Sequence, residues 1–150
     1  EIDWRATDKL LLSVNLGLLQ AEFDDYVNVF EEDLSGREQA HAPKYQYAAG
    51  GRYDLTENLF LRVEVQGKDS YYFSDRHSEQ SDDYNLVNAS LGWEQERWRV
   101  VLWGRNLTDE DYTVRGFGSF GNDPRNGYVI EPYYQFGEPR VYGLTAAYAF

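Results

Sequence analysis

Apolar and polar residues alternate with a period of two over much of this chain. The pattern is cleanest where Leu59, Leu61, Val63, Val65, Tyr71 and Phe73 interleave with Arg62, Glu64, Gln66, Lys68 and Ser70. Successive side chains of a strand point to opposite faces, so such a segment has one apolar and one charged face. Reading strands by alternation and breaks by turn residues predicts six strands, over residues 10–23, 45–55, 59–74, 84–93, 98–107 and 140–150, with the end of a seventh at 2–4. The last puts Tyr142, Leu144, Ala146, Tyr148 and Phe150 on one face. A chain stopping on the apolar face of a strand expects an apolar surround.

The connections alternate in length. Residues 6–9, 56–58 and 94–97 are tight turns, whereas 24–43, 75–83 and 108–139 are long, polar and rich in Asp, Glu, Gly and Asn. In an up-and-down meander every second connection lies at the same end, so the tight turns share one rim and the long loops the other. Outer-membrane barrels have this asymmetry. Trp93, Trp98, Tyr148 and Phe150 then fall near the tight-turn rim, and Tyr45, Tyr47, Tyr71, Phe73 and Tyr142 toward the long-loop rim, as two aromatic girdles. The predicted fold class is all-β, an antiparallel up-and-down meander of about six or seven strands forming part of a transmembrane β-barrel.

Composition changes this picture little. At 150 residues the chain is one domain long, and a net charge of -12 argues against nucleic acid as a partner. Zero cysteines excludes a disulfide framework and thiolate metal sites. No run approaches the roughly 18 apolar residues of a membrane helix, and mean hydropathy is -0.67. Neither argues against a barrel, where only alternate residues meet lipid. The opening Glu1-Ile-Asp-Trp-Arg has no signal-peptide pattern, so a leader was removed or the chain is a piece of something longer.

Two motifs carry a family resemblance. Asn106-Leu-Thr-Asp109-Glu-Asp-Tyr112 ends the penultimate predicted strand, and Gly137-Glu-Pro-Arg140-Val-Tyr-Gly143 opens the last, which closes on Phe150. The chain resembles the C-terminal part of the β-barrel of TonB-dependent outer-membrane receptors, in pattern over nearly all its length and residue by residue over the last 45 or so. The resemblance implies that Asn106, Asp109 and Tyr112 are family-motif positions. It implies that Tyr148 and Phe150 form the aromatic end recognised by barrel-assembly machinery. It further implies a plug, about 22 strands in the whole barrel, and an energy transducer of TonB type reached only through an N-terminal part absent here. Residues 1–150 are thus expected to be a C-terminal barrel segment, in contact with outer-membrane lipid and the remainder of the barrel and plug, in the bacterial outer membrane.

The charged row Arg52, Arg62, Glu64, Lys68, Arg99 and Arg105 is expected to face the lumen, where mixed signs favour pairing across strands. His41, His77, Phe117, Phe120, Tyr133 and Tyr134 lie in the long loops and are candidates for touching a ligand. Gly116-Phe-Gly118-Ser-Phe-Gly121 fits a dinucleotide fingerprint, but the Asn122-Asp-Pro124 that follows opens no regular helix, so it reads as a flexible glycine-rich loop. The acidic clusters at 24–25, 31–33, 82–83 and 109–111 lack calcium-loop spacing and read as solvated loop charge. No nucleophile elbow or metal-ligand spacing appears, so no catalytic residue, cofactor or protein metal site is expected, and the chain reads as a non-enzyme.

Three functions fit. The first is a receptor segment for energy-coupled uptake of a scarce ligand such as a ferric siderophore, cobalamin or a saccharide. The second is a small barrel that anchors or adheres, which needs about eight strands to close. The third is a soluble lipocalin-like binding domain, with its apolar face inside.

Overall fold

The computed structural model of the chain describes residues 1–117, 123–128 and 132–150. Seven strands form one antiparallel sheet: β1 (Ile2–Thr7), β2 (Leu10–Leu18), β3 (Tyr45–Asp54), β4 (Leu59–Lys68), β5 (Tyr84–Gln95), β6 (Trp98–Arg105) and β9 (Val141–Tyr148). They are hydrogen-bonded in the order β1-β2-β3-β4-β5-β6-β9, each beside its sequence neighbour in the sheet. A separate hairpin, β7 (Thr113–Phe117) with β8 (Tyr133–Phe136), sits inside the last long loop. The meander and its alternation of tight turns with long loops are as the hydrophobic pattern predicts. The partial strand at 2–4 is a full strand, offset from β2 by an irregularity between Arg5 and Thr7.

Register sorts the side chains into two faces. Leu12, Gly51, Val63, Ala89, Gly104 and Tyr142 lie opposite one another across six strands, as do Arg52, Arg62, Ser90, Trp103 and Gly143 across five. The first row belongs to the apolar face and the second to the polar one, because the side-chain period is two. The apolar face is not a core. Leu16, Leu102 and Leu144 are 61%, 55% and 67% exposed. A lipocalin-type domain would cover such a face, so this sheet does not have that arrangement. The described sheet is also open, with β1 and β9 at its edges.

The few buried apolar side chains sit elsewhere. Phe60 is buried on the polar face, with the Arg52 guanidinium 3.8 Å from its ring centre. Its ring lies over Gly92 of β5, its register partner, where a Cβ would collide with the ring carbons. Alternation alone does not mark Phe60 as buried, because its neighbours on that face are charged.

Two predicted strands are too long. Residues 10–23 leave the sheet after Leu18, and beyond it the chain pairs with its own loop through the Glu22–Glu38 bridge. Residues 59–74 leave it after Lys68, where the Asp69 carboxylate accepts from the Ser70 N–H and turns the chain. Tyr71 and Phe73 therefore do not belong to the long-loop girdle. They pair instead with residues 79–81 through Phe73 N–H to Glu79 O (3.2 Å) and Ser81 N–H to Tyr71 O (3.0 Å), and both rings are buried. That girdle keeps Tyr45, Tyr47 and Tyr142. At the opposite rim Trp98 packs on Tyr148 (4.9 Å between ring centres), which meets Phe150 edge-on at 5.4 Å.

Replacing Gly92 by valine forces Phe60 off its position at a cost of about 1–3 kcal/mol. The expected result is a lower midpoint for thermal unfolding of the sheet, followed by circular dichroism. An unchanged midpoint means the Phe60–Gly92 contact contributes nothing.

Candidate functional site

All six charged residues expected to share a face do so. They are also paired. Arg52 bonds Asp54 through Nε at 2.9 Å and lies 3.7 Å from Glu94, which in turn meets Arg99 at 3.2 Å. Arg62 stands directly opposite Arg52, a repulsive placement, and its own partner is Glu64 at 3.6 Å. Arg105 reaches Glu138 at 3.1 Å, and Lys68 sits 4.3 Å over the Tyr71 ring. Each pair is half exposed and is worth little alone. Together they keep the polar face near neutrality. The partners Asp54 and Glu94 were not singled out by sequence, although continuing the β5 alternation past Gly92 places Glu94 on this face.

Above the polar face the three long loops interlock. In the loop 19–44, the buried Asn28 side chain holds a tight turn by accepting from the N–H groups of Phe30 (2.9 Å) and Glu32 (3.0 Å) and donates to the Asp75 carbonyl (3.0 Å). Tyr26 donates to the Asp75 carboxylate at 2.7 Å, which holds that carboxyl below its usual range and raises the phenol. Arg37 lies 4.0 Å over Tyr72 and donates to the carbonyls of Ser74 and His77. Loops 19–44 and 69–83 thus form one unit.

The β7–β8 hairpin docks on that unit. Tyr71 donates to the Val114 carbonyl (3.1 Å), Phe73 packs on Tyr134 (6.2 Å between ring centres), and the Tyr134 hydroxyl donates to Glu79. Of the glycine-rich segment, Gly116 and Phe117 end β7 and residues 118–121 lie outside the described residues; further on a 3-10 turn, Pro124–Asn126, is capped by Asp123. Tyr133 and Tyr134 are exposed on β8, and Phe117 is half-buried at the end of β7. His41 is exposed but packs on Tyr71, 5.4 Å between ring centres. His77 is half-buried, and burial pushes its imidazole below the ordinary range. Phe120 lies outside the described residues. The described members of this candidate set therefore serve the packing of the cap, apart from the exposed edges of Tyr133, Tyr134 and His41.

The motif Asn106–Tyr112 closes the base of the last loop. Asn106 is 3% exposed; its amide donates to the carbonyls of Glu110 (2.9 Å) and Glu138 (3.1 Å) and accepts from the Glu110 N–H (2.9 Å). Asp109 accepts from the Arg140 N–H (3.1 Å) and pairs with its guanidinium (3.1 Å). Tyr112 lies so close to Gly137 that any side chain there would enter its ring, and its hydroxyl accepts from the Glu138 N–H. Residues 106–112 and 137–140 are therefore one knot, tying the end of β6 to the start of β9. Reaction chemistry is not what they share. Among the described residues no group of His, Asp and Glu is arranged to hold a metal.

An open cleft of about 610 Å³ lies against the upper polar face, lined by Asn15, Gln46, Gln66, Lys68 and Tyr84 and by Tyr112 of the knot. Sequence reading did not single out the three amides, since alternating polar positions say which face a residue takes and not what stands above it.

No protein-family model matches the chain. Two solved structures share its fold. The ferric yersiniabactin uptake receptor FyuA from Yersinia pestis aligns with 99% of this chain and 22% of its own length, at a TM-score of 0.78 and 19% identity. The ferric-catecholate import receptor Fiu from E. coli aligns with 99% of this chain and 26% of its own, at a TM-score of 0.55 and 17% identity. The chain thus has the fold of a receptor-barrel segment and spans about a quarter of the length of these two receptors. The likeness to the barrels of TonB-dependent receptors, read first from two short motifs, stands at the level of the fold.

Two predictions follow from this geometry. Asn106→Ala removes three hydrogen bonds of a buried side chain to the backbone of Glu110 and Glu138, at about 0.5–1.5 kcal/mol each. Hydrogen exchange should quicken at Glu110 and at the start of β9 while the β4–β5 ladder stays protected; equal protection at both places would show that the knot is not closed by Asn106. The second concerns acid. A depressed folded-state pKa at Asp75 means that its contact with Tyr26 is fully present above the ordinary carboxylate range and is lost as pH falls through the folded value. Protease cutting within residues 24–33 should therefore rise between neutral pH and about pH 3, and Tyr26→Phe should show the higher cutting already at neutral pH.

Proposed function

We propose that this chain is the C-terminal barrel segment of an outer-membrane receptor for energy-coupled uptake of a scarce ligand, a ferric siderophore, cobalamin or a saccharide. One observation carries the reading. The sheet exposes an apolar face, bears neutralised charge on the other, and has tight turns at one rim and an interlocked cap of loops at the other. An exposed apolar face flanked by aromatic girdles suits lipid, and a polar face suits a lumen.

In this reading the six charged residues line the wall facing a plug, and the exposed edges of the loop cap meet arriving ligand. The remaining barrel strands pair with β1 and β9, because an open edge in lipid leaves backbone groups unsatisfied at several kcal/mol each. Tyr148 and Phe150 are the end read by the assembly machinery. The energy transducer acts through parts of the receptor outside these 150 residues, and the protein carries out no catalysis. The fold neighbours support this as named uptake and import receptors.

The test is the native protein, recovered from fractionated cells with an antibody against residues 123–128. It is expected in the outer-membrane fraction, heat-modifiable on gels, and several times heavier than 17.5 kDa. A heat-modifiable species at 17.5 kDa favours the small anchoring barrel instead, and a detergent-independent monomer in the soluble fraction would sink both readings.

A further inference from the structure

The charge of the chain is distributed unevenly. The long loops, residues 19–44, 69–83 and 106–140, hold eighteen of the 26 acidic residues and six of the 14 basic ones. They therefore carry the whole net charge of -12, and the sheet with its tight turns is neutral. Most of the loop cations are already committed. Lys44 pairs with Glu38 at 2.6 Å, Arg125 with Asp123 at 2.9 Å and Arg140 with Asp109 at 3.1 Å, while Arg37 is spent on two carbonyls. A solute reaching the polar face from this rim crosses a strongly negative field. Such a field slows anions and leaves neutral molecules unaffected, over a range of about 8 Å at physiological salt.

The cleft beneath the loops has a different character. Asn15, Gln46 and Gln66 present amides that have no hydrogen-bond partner among the described residues. Each offers two donors and an acceptor. Beside them Tyr84 and Tyr112 pack at a tilt of 39°, 4.5 Å between ring centres. The charged side chains lining the cleft are Lys68 and Glu1, one of each sign. Holding a metal ion needs more carboxylate or imidazole donors than this, and holding an anion more cations. Free amides next to aromatic faces match hydroxyl groups and the C–H faces of a sugar ring. At about 610 Å³ the cleft falls within the size of small-molecule sites.

We infer that this cleft binds an uncharged, hydroxyl-rich solute of oligosaccharide type, and that the acidic loops above it turn away anionic iron chelates. The inference rests on the receptor reading, narrows its ligand class, and departs from the ferric ligands named for the two fold neighbours.

The experiment uses the native protein from outer membranes, purified in a polyoxyethylene detergent so that no sugar headgroup competes. Its binding to an array of neutral, amine-bearing and uronate-bearing oligosaccharides is measured beside calorimetric titration with a ferric tris-catecholate. Neutral glycans should be retained, uronate-bearing ones and the ferric chelate should not, and the Gln46→Ala/Gln66→Ala variant should weaken the retained glycan about tenfold or more. Binding of the chelate, absence of any glycan binding, or wild-type affinity in the double variant overturns the inference. Heat-modifiability of the same samples checks that the variant is folded and keeps the two readings apart. A heat-modifiable outer-membrane protein that binds no glycan loses only the ligand class, whereas a soluble one loses the receptor reading as well.

Discussion

Everything in this structure depends on the register of one hydrogen-bonded ladder. Six strand pairs run antiparallel, and within each the side-chain period of two ties pairing to facing. A one-residue slip between β3 and β4 would turn Arg62 and Glu64 to the apolar side and Leu61 and Val63 to the polar side. Five of the six ladders join neighbours whose connection is a tight turn or a loop that folds upon itself. The sixth, β6 with β9, spans residues 106–140, and there the knot of Asn106, Asp109, Tyr112, Gly137 and Arg140 does what a short turn does elsewhere. It holds the two strand ends together whatever the intervening loop adopts.

The same constraint explains where burial occurs. A single sheet has no second layer against which to bury a face, so its apolar side chains stay exposed and need an apolar medium. Among the described residues, most of the buried apolar side chains belong instead to the loop cap, Leu34, Ala42, Tyr71 and Phe73, with Asn28 and Ser81 as their polar fasteners, while Phe60 and Leu86 are buried on the polar face of the sheet. This cap is a small core of its own, built from three loops that are far apart in sequence. Because its contacts are a few hydrogen bonds and ring contacts, it opens at lower cost than the ladder beneath it. The loop cap is thus the less stable part of the molecule.

Electrostatics separates these two layers. Charges on the sheet are matched in sign and paired along or across strands, so the wall is close to neutral. Loop charges are overwhelmingly acidic and solvated, as the acidic clusters without metal-binding spacing suggest. This separation of a neutral sheet from acidic loops is visible only when the strand boundaries are known.

Much of this was legible in the chain itself. Alternation determined the strands of the main sheet and their direction, which residues share a face, and which connections are short, because period-two patterning and turn chemistry are local properties; it did not show the β7–β8 hairpin inside the last loop. The two end motifs were legible as a resemblance, though not as the knot they form. Tertiary structure alone decided where strands stop and loops begin. Tyr71 and Phe73 keep the parity of Leu59 to Val65 across an interruption at Gly67 and Asp69, yet they belong to the cap, since parity does not say which segment a residue pairs with. It alone decided that Phe60 is buried among charges, that Asn106 reaches Glu138 across 32 residues, and that three amides face one cleft. Each depends on a contact between segments distant in sequence, and periodicity says nothing about those.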